Sequence, residues 1–450
     1  MRQIERAARN NLTELNLSML DLEELPPEIS ECTQLEKLVV AAYQPNKFEA
    51  KRRYGIAKFP DAVLKLTNLK ILMLSNHGIT EIPEEIGQLS NLTKLHLNNN
   101  QITSIPETIG QLSHLTGLDL SSNQITEIPE AIRHLSHLTG LCLGHNQITE
   151  IPEAIRHLSH LTKLYLHNNK ITKIPEVIGQ LSNLTRLCLG DNQITSIPEA
   201  IGQLTNLRGL SLNNNQITSI SEKIGQLSNL TKLYLDSNQI ISIPETVGHL
   251  SNLTLLCLES NQITSIPDTF GQLLNLITLY FRNNQITSVP AELGQLSNLR
   301  WLDLRKNEIG FIPEELGQLS NLRELDLSEN QITKIPDAIG QLSNLRELDL
   351  SENQITKIPD AIGQLSYLRK LYLNNNQITE IPKALSQLSN LIEADFDNNL
   401  ITQILYPIKL VSSSTHDPCS SQAFIPPESR EVQFNLRKAV RGHDYLMGSL

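Results

Sequence analysis

The chain has 450 residues, a formal net charge of −11 and only 4% aromatic side chains. Length alone would suggest about two or three globular domains, but so few aromatics cannot furnish several compact aromatic-rich cores. An acidic chain is also a poor match for nucleic acid or an anionic membrane, both of which demand a basic surface, so neither is expected as a partner.

The opening Met1-Arg2-Gln3-Ile4-Glu5-Arg6 has no apolar core of a secretory leader. No apolar run approaches the ~18–20 residues of a membrane span. The cysteines, Cys32, Cys142, Cys188, Cys257 and Cys419, are odd in number and unclustered, which fits a reducing compartment and a cytoplasmic location. Asn-Leu-Thr occurs at Asn11, Asn91, Asn183, Asn229 and Asn252, always at one phase of a repeat. It therefore reads as repeat consensus rather than as a set of glycan acceptors.

That repeat organises the chain. Leu12 and Leu35 begin two units. From Leu69 through Leu92, Leu115 and Leu138 to Leu391, further units follow without a break at a step of 23 residues. Each reads L-x-x-L-x-L-x-x-N-x-I-T-x-I-P-x-x-I-G-x-L-x-N. In x-L-x-L-x the period of two predicts a short strand with leucines inward and the intervening residues outward. Asn100, Asn123, Asn146 and their successors to Asn399 are expected to stack as a ladder on the buried polar groups of the turn. The proline of Ile-Pro is expected at the first helical position, and I-G-x-L buries its aliphatics from the opposite side. About 17 such rungs at roughly 4.8 Å would extend on the order of 80 Å.

Departures from the pattern mark particular places. Leu20 and His77 stand at the ladder position, and Ser221 replaces the proline. The second unit is longer than the rest: Ala42 to Tyr54, within an insertion over 41–58, is basic and aromatic in an acidic chain. It is either a surface loop or a site for a phosphate or acidic partner. The units 322–344 and 345–367 differ only at Asn344 and Tyr367, a sign of duplication. Beyond Asn399 the pattern dissolves, so the expected organisation is a solenoid over 1–404 and a C-terminal cap and flexible tail over 405–450.

These motifs resemble the leucine-rich repeat of the 23-residue intracellular type, as found in bacterial, plant Ras-group and animal Ras-pathway proteins. The resemblance implies an α/β fold: a right-handed leucine-rich-repeat solenoid, or horseshoe arc. Its parallel β-sheet would line the concave face, with short helices or 3-10 turns on the convex face. The opening Ile4-Glu5-Arg6-Ala7-Ala8, Leu12 to Leu17 and Glu24 to Ile29, followed by the long second unit, is similar to the repeat arm of cyanobacterial-like Roco GTPases. A Roco protein also needs G-x-x-x-x-G-K-[ST] to cradle phosphates. No Gly-Lys-Ser or Gly-Lys-Thr occurs in this chain. The resemblance thus implies a regulatory or sensor arm detached from its GTPase.

Function is expected on the outward strand positions. One column reads Cys142, Tyr165, Cys188, Ser211, Tyr234, Cys257 and Tyr280, with Trp301 beside its end. Tyr and Trp are enriched at binding hot spots, although Tyr and Cys are also strand-compatible residues that duplication can spread. Lys94, Lys163, Arg186 and Lys232 line the earlier part. Asp303, Glu324, Asp326, Glu347, Asp349, Glu393 and Asp395 make a later acidic part. The partner-binding candidates are therefore Tyr165, Tyr234, Tyr280, Trp301, Cys188, Cys257, Asp303, Asp326 and Asp349.

No metal or cofactor is expected. Cysteines about 10 Å apart cannot share an ion, and His114, His137 and His160, with His134 and His157, read as substitutions of consensus polar residues. A shallow open face also offers little enclosure to a small molecule. The expectation is a monomeric, non-catalytic protein-binding scaffold. The nearest enzyme alternative, an effector ubiquitin ligase, would need a catalytic cysteine in a large domain after the repeats, and only Cys419 follows them.

Overall fold

The computed structural model describes residues 2–18, 20, 22–41 and 55–404. The basic stretch 42–54 and the segment 405–450 lie outside the described residues. The chain divides into two compact units, Met1–Ile263 and Thr264–Leu450. The 23-residue phase runs through this boundary without a signal.

The first unit opens with an α-helix, Arg2–Arg9, whose Ile4 and Ala7 are buried. Their i, i+3 spacing makes one apolar stripe, which packs on the 3-10 turn Pro27–Glu31. Arg6 and Arg9 in the last turn complement the helix dipole. Three-residue strands then recur from Glu14–Asn16 to Leu255–Cys257, each parallel to the next. Register is fixed by the repeat step: Lys94 lies beside Gly117, Leu95 beside Leu118 and His96 beside Asp119. Like residues therefore stack in columns. The inward column, including Leu95, Leu118 and Leu141, is fully buried. The second unit repeats the arrangement from Thr278–Tyr280 to Glu393–Asp395. In its core Phe270 and Phe281 pack with ring centroids 6.1 Å apart.

From the strand Ile71–Met73 onward the chain turns after the three-residue strands through a residue at positive φ, such as Asn99 (57°), Asp191 (55°), Lys306 (56°) or Glu352 (55°). No glycine occupies this left-handed position among the described residues. Asparagine and aspartate tolerate it best, because their side chains bond locally. The next residue is the ladder asparagine. Asn238 donates to the carbonyls of Leu212 and Leu235, both at 3.0 Å, and accepts from the Ile217 amide at 3.0 Å. One side chain thus closes its own turn and ties it to the turn before.

The ladder exceptions follow from this geometry. His77 reproduces the asparagine pattern. Its Nδ1 accepts from the Ile56 amide at 3.3 Å, and its Nε2 lies 2.8 Å from the Val40 carbonyl. The longer imidazole spans the gap that the elongated second unit creates. Leu20 has no preceding turn to serve and is exposed.

The opposite side consists of five-residue 3-10 turns, such as Glu107–Gln111. The proline sits one residue earlier than the sequence suggests. Pro106 is the N-cap, extended at φ −69° and ψ 152°, and its carbonyl accepts from Ile109 at 3.0 Å. Where Ser221 replaces proline, its hydroxyl caps the turn by accepting from the Lys223 amide. Glycine follows the buried isoleucine because neighbouring turns approach closely: a Cβ at Gly110 would stand 2.8 Å from the Ala131 carbonyl oxygen. Asn91, Asn183, Asn229 and Asn252 each donate to a carbonyl of the preceding turn. His114 and His160 place Nδ1 against the equivalent carbonyls.

Candidate functional site

The outward strand positions in each unit carry side chains that the core does not need. In the first unit the central column runs His96, Asp119, Cys142, Tyr165, Cys188, Ser211, Tyr234, Cys257 in adjacent register. Beside it run Lys94, Gly117, Gly140, Lys163, Arg186, Gly209, Lys232 and Leu255. Tyr165 and Tyr234 are half-buried, and Tyr165 hydrogen-bonds Arg186. The thiols differ. Cys188 is 7% exposed and Cys257 8%, so neither projects as an interface residue of the kind the sequence suggested. Cys188 lies in register with Tyr165 and Cys257 with Tyr234.

Burial also sets the chemistry of these thiols. It raises Cys142 to about 12, and raises Cys188 to about 11 against the opposing pull of Arg186. Cys257 is raised further, by burial first and then by Asp236 and Glu259. Such thiols stay protonated and are weak nucleophiles. Among the described residues, no group of three or more His, Cys, Asp or Glu is placed to hold a metal ion.

The turn-side edge of this face is acidic. Asp236, which the sequence reading did not single out, is raised to about 6 by burial, then by the charges of Glu259 and Asp191, against its own backbone hydrogen bond. Asp119 moves the other way. Burial opposes its ionisation, but hydrogen bonds from His96 and from Ser121 outweigh it and hold the carboxyl low. His145 and His167 meet edge to face at 4.9 Å.

In the second unit the central column is Tyr280, Asp303, Asp326, Asp349, Tyr372, Asp395, and Trp301 lies beside Thr278 and Glu324. Tyr280 and Trp301 are half-buried. The three aspartates that the sequence offered as contacts are largely engaged within the protein. Ser328 and Ser351 each bring an amide and a hydroxyl to Asp326 and Asp349, the hydroxyls at 2.6 Å. Asp349 is itself buried at 8% exposure. Arg305, equally buried, donates its amide to Asp303 at 3.1 Å and lays its guanidinium 3.0 Å from Asp303 and 3.6 Å from Asp326. These carboxylates close turns. The signal was the Asp-Leu-Ser spacing, where a side chain two residues ahead bonds the following amide.

Around them Glu324 is raised by burial and then by Glu347, and Asp395 is raised by burial and then by its acidic neighbours. Tyr372 is raised by burial and then by Glu393.

Short parallel strands in register, an asparagine ladder and 3-10 turns define a leucine-rich-repeat solenoid. Family models agree. The model described as leucine-rich repeat region matches residues 57–144, 130–239 and 289–391, and a second leucine-rich-repeat model matches 228–280 and 251–309. The chain belongs to the leucine-rich-repeat family, whose fold commonly mediates protein–protein interaction. Curated proteins give no sequence match.

Among solved structures, a leucine-rich-repeat protein of Leptospira interrogans is similar at 34% identity and TM-score 0.73, covering 89% of this chain and 94% of its own. An internalin of Listeria monocytogenes aligns at 30% identity and TM-score 0.61, covering 70% of this chain and 90% of its own. A plant peptide hormone receptor solved in complex with the peptide RGF2 aligns at 29% identity and TM-score 0.69, covering 86% of this chain and 65% of the receptor chain. No helix among the described residues is long and apolar enough to cross a membrane.

Proposed function

We propose that this chain is a non-catalytic interaction module that holds a partner protein on its sheet face. The observation that carries the reading is the pair Tyr165 and Tyr234. They are half-buried amphipathic rings on strands locked at both sides by parallel pairing, free of any role in the core. A rigid platform loses little freedom on binding, and such rings typically anchor interfaces. Tyr280 and Trp301 offer the same in the second unit. The plant receptor holds a peptide, which is chemistry that an open sheet face can accommodate. The described cysteines are free thiols, in keeping with a reducing compartment such as the cytoplasm.

The test is capture of partners by the full chain, compared with two variants. Tyr165→Ala with Tyr234→Ala should weaken the captured partner at least tenfold, ~1.4 kcal/mol, with Trp301→Ala as a separate arm. His134→Ala with His157→Ala, on the 3-10 side, should stay within about twofold. Loss with the histidine pair and retention with the tyrosine pair would place the interface on the other side.

A second reading, the arm of a Roco-type GTPase system, is supported by the capping helix Arg2–Arg9 and by the elongated second unit bridged through His77. It is tested by whether a GTPase encoded nearby binds the same face. None of the described thiols suits the nucleophile of an effector ubiquitin ligase, because burial raises the pKa of Cys32, Cys142, Cys188 and Cys257; Cys419 lies outside the described residues.

A further inference from the structure

Cations on the sheet faces fall into two groups. Some are neutralised by an acid in the adjacent register position: Lys37 by Glu14 at 3.0 Å and Lys370 by Glu347 at 3.1 Å. Lys94, Lys163, Arg186 and Lys232 are not. They make no ion pair among the described residues, although the chain carries a net charge of −11. All four stand in one column of the first unit, and the positions between them are glycine.

Gly209 lies in register with Arg186 on one side and Lys232 on the other. A Cβ built there meets nothing within 4 Å, so the strand floor is open above it. Two cations thus flank an unfilled recess, about 10 Å apart at a strand spacing of roughly 4.8 Å. In the central column Tyr234 stands one strand from it, and Tyr165 stands two strands away, where it hydrogen-bonds Arg186. Beyond them Asp191, Asp236 and Glu259 make the turn-side edge negative, which repels an anion from that side.

We propose that the column of Lys163, Arg186 and Lys232 binds an acidic, extended segment of the partner protein. One partner carboxylate enters the recess over Gly209, between Arg186 and Lys232, and Tyr165 and Tyr234 cover the neighbouring apolar side chains. Two cations on one carboxylate give strong charge-assisted hydrogen bonds. The acidic turn edge sets the lateral position of the segment, so electrostatics supplies register as well as attraction. This assignment rests on the sheet-face reading above and adds the chemistry of the partner.

The experiment uses the full chain and two labelled peptides of equal length, one alternating glutamate with valine and the other lysine with valine, read by fluorescence anisotropy. The glutamate peptide should bind, more weakly as salt rises, and the lysine peptide should not. Arg186→Glu with Lys232→Glu should weaken binding at least about tenfold. So should Gly209→Met, whose Cβ meets nothing within 4 Å and whose longer side chain occupies the recess.

Arg133→Glu with Arg156→Glu on the 3-10 side makes the same change in net charge and should cost less than about twofold. Equal losses from the two charge-reversal pairs would reduce the effect to bulk charge and overturn the proposal, as would preference for the lysine peptide or no binding of the glutamate peptide. Binding lost with Tyr165→Ala and Tyr234→Ala but kept with the Arg186 and Lys232 reversals would overturn the charge assignment and leave the sheet-face reading standing. Binding indifferent to both would sink both.

Discussion

Replacing Asn238 by leucine removes one step of the ladder while nearly conserving side-chain volume. The amide is 8% exposed. It donates to Leu212 and Leu235 and accepts from the Ile217 amide, each at 3.0 Å. Leucine leaves one buried N–H and two carbonyls without these partners. At roughly 1 kcal/mol for each hydrogen bond the loss is about 3 kcal/mol, and the added apolar contact offsets only part of it. Urea denaturation followed by circular dichroism reports the loss as a lower midpoint. Hydrogen exchange locates it, because the Ile217 amide should lose protection more than amides several turns away, as nearest-neighbour coupling requires. Leu20→Asn is the control: the first unit has no preceding turn, so an asparagine there should gain less than about 0.5 kcal/mol. An unchanged midpoint in Asn238→Leu, with Ile217 still protected, would refute the claim that the ladder stabilises these turns.

Two other substitutions test particular turns. His77 is pushed below its ordinary pKa by burial, against the hydrogen bond to Val40. Its contribution is therefore complete above about pH 6.5 and declines as pH falls from there through the lower folded value, because the unfolded chain takes up the proton first. Thermal melts of the wild type should fall over that window more steeply than those of His77→Asn, and parallel curves would show that His77 does not titrate against folding. Glu352 holds φ at 55°, a conformation that asparagine adopts more readily. Glu352→Asn should stabilise by about 0.5–1 kcal/mol and Asn375→Glu, at the same turn position, should destabilise by about as much. Calorimetry showing both variants unchanged would remove backbone strain as the reason for asparagine at this turn.

The sequence by itself determined the strands, their parallel register and the buried leucine column. Alternation of side chains along a strand is local covalent geometry, and a constant step of 23 residues forces like positions to stack. The asparagine ladder was legible for the same reason, since a buried turn must satisfy its polar groups wherever it recurs. Only the tertiary structure decided which outward residues remain available. Cys188 and Cys257 alternate outward as the pattern says, yet both are buried. Asp303, Asp326 and Asp349 also occupy outward positions, but Arg305, Ser328 and Ser351 claim their oxygens. His77 looked like a break in the ladder and completes it, because its longer reach compensates for the longer second unit. Asp236 gave no local signal at all: its raised pKa comes from burial and from acids on other turns. Facing direction is set within a strand. The Asp-Leu-Ser pairing lies within one unit and was legible in the sequence, whereas burial and potential depend on side chains 23 residues away, whose sizes and charges no single unit encodes.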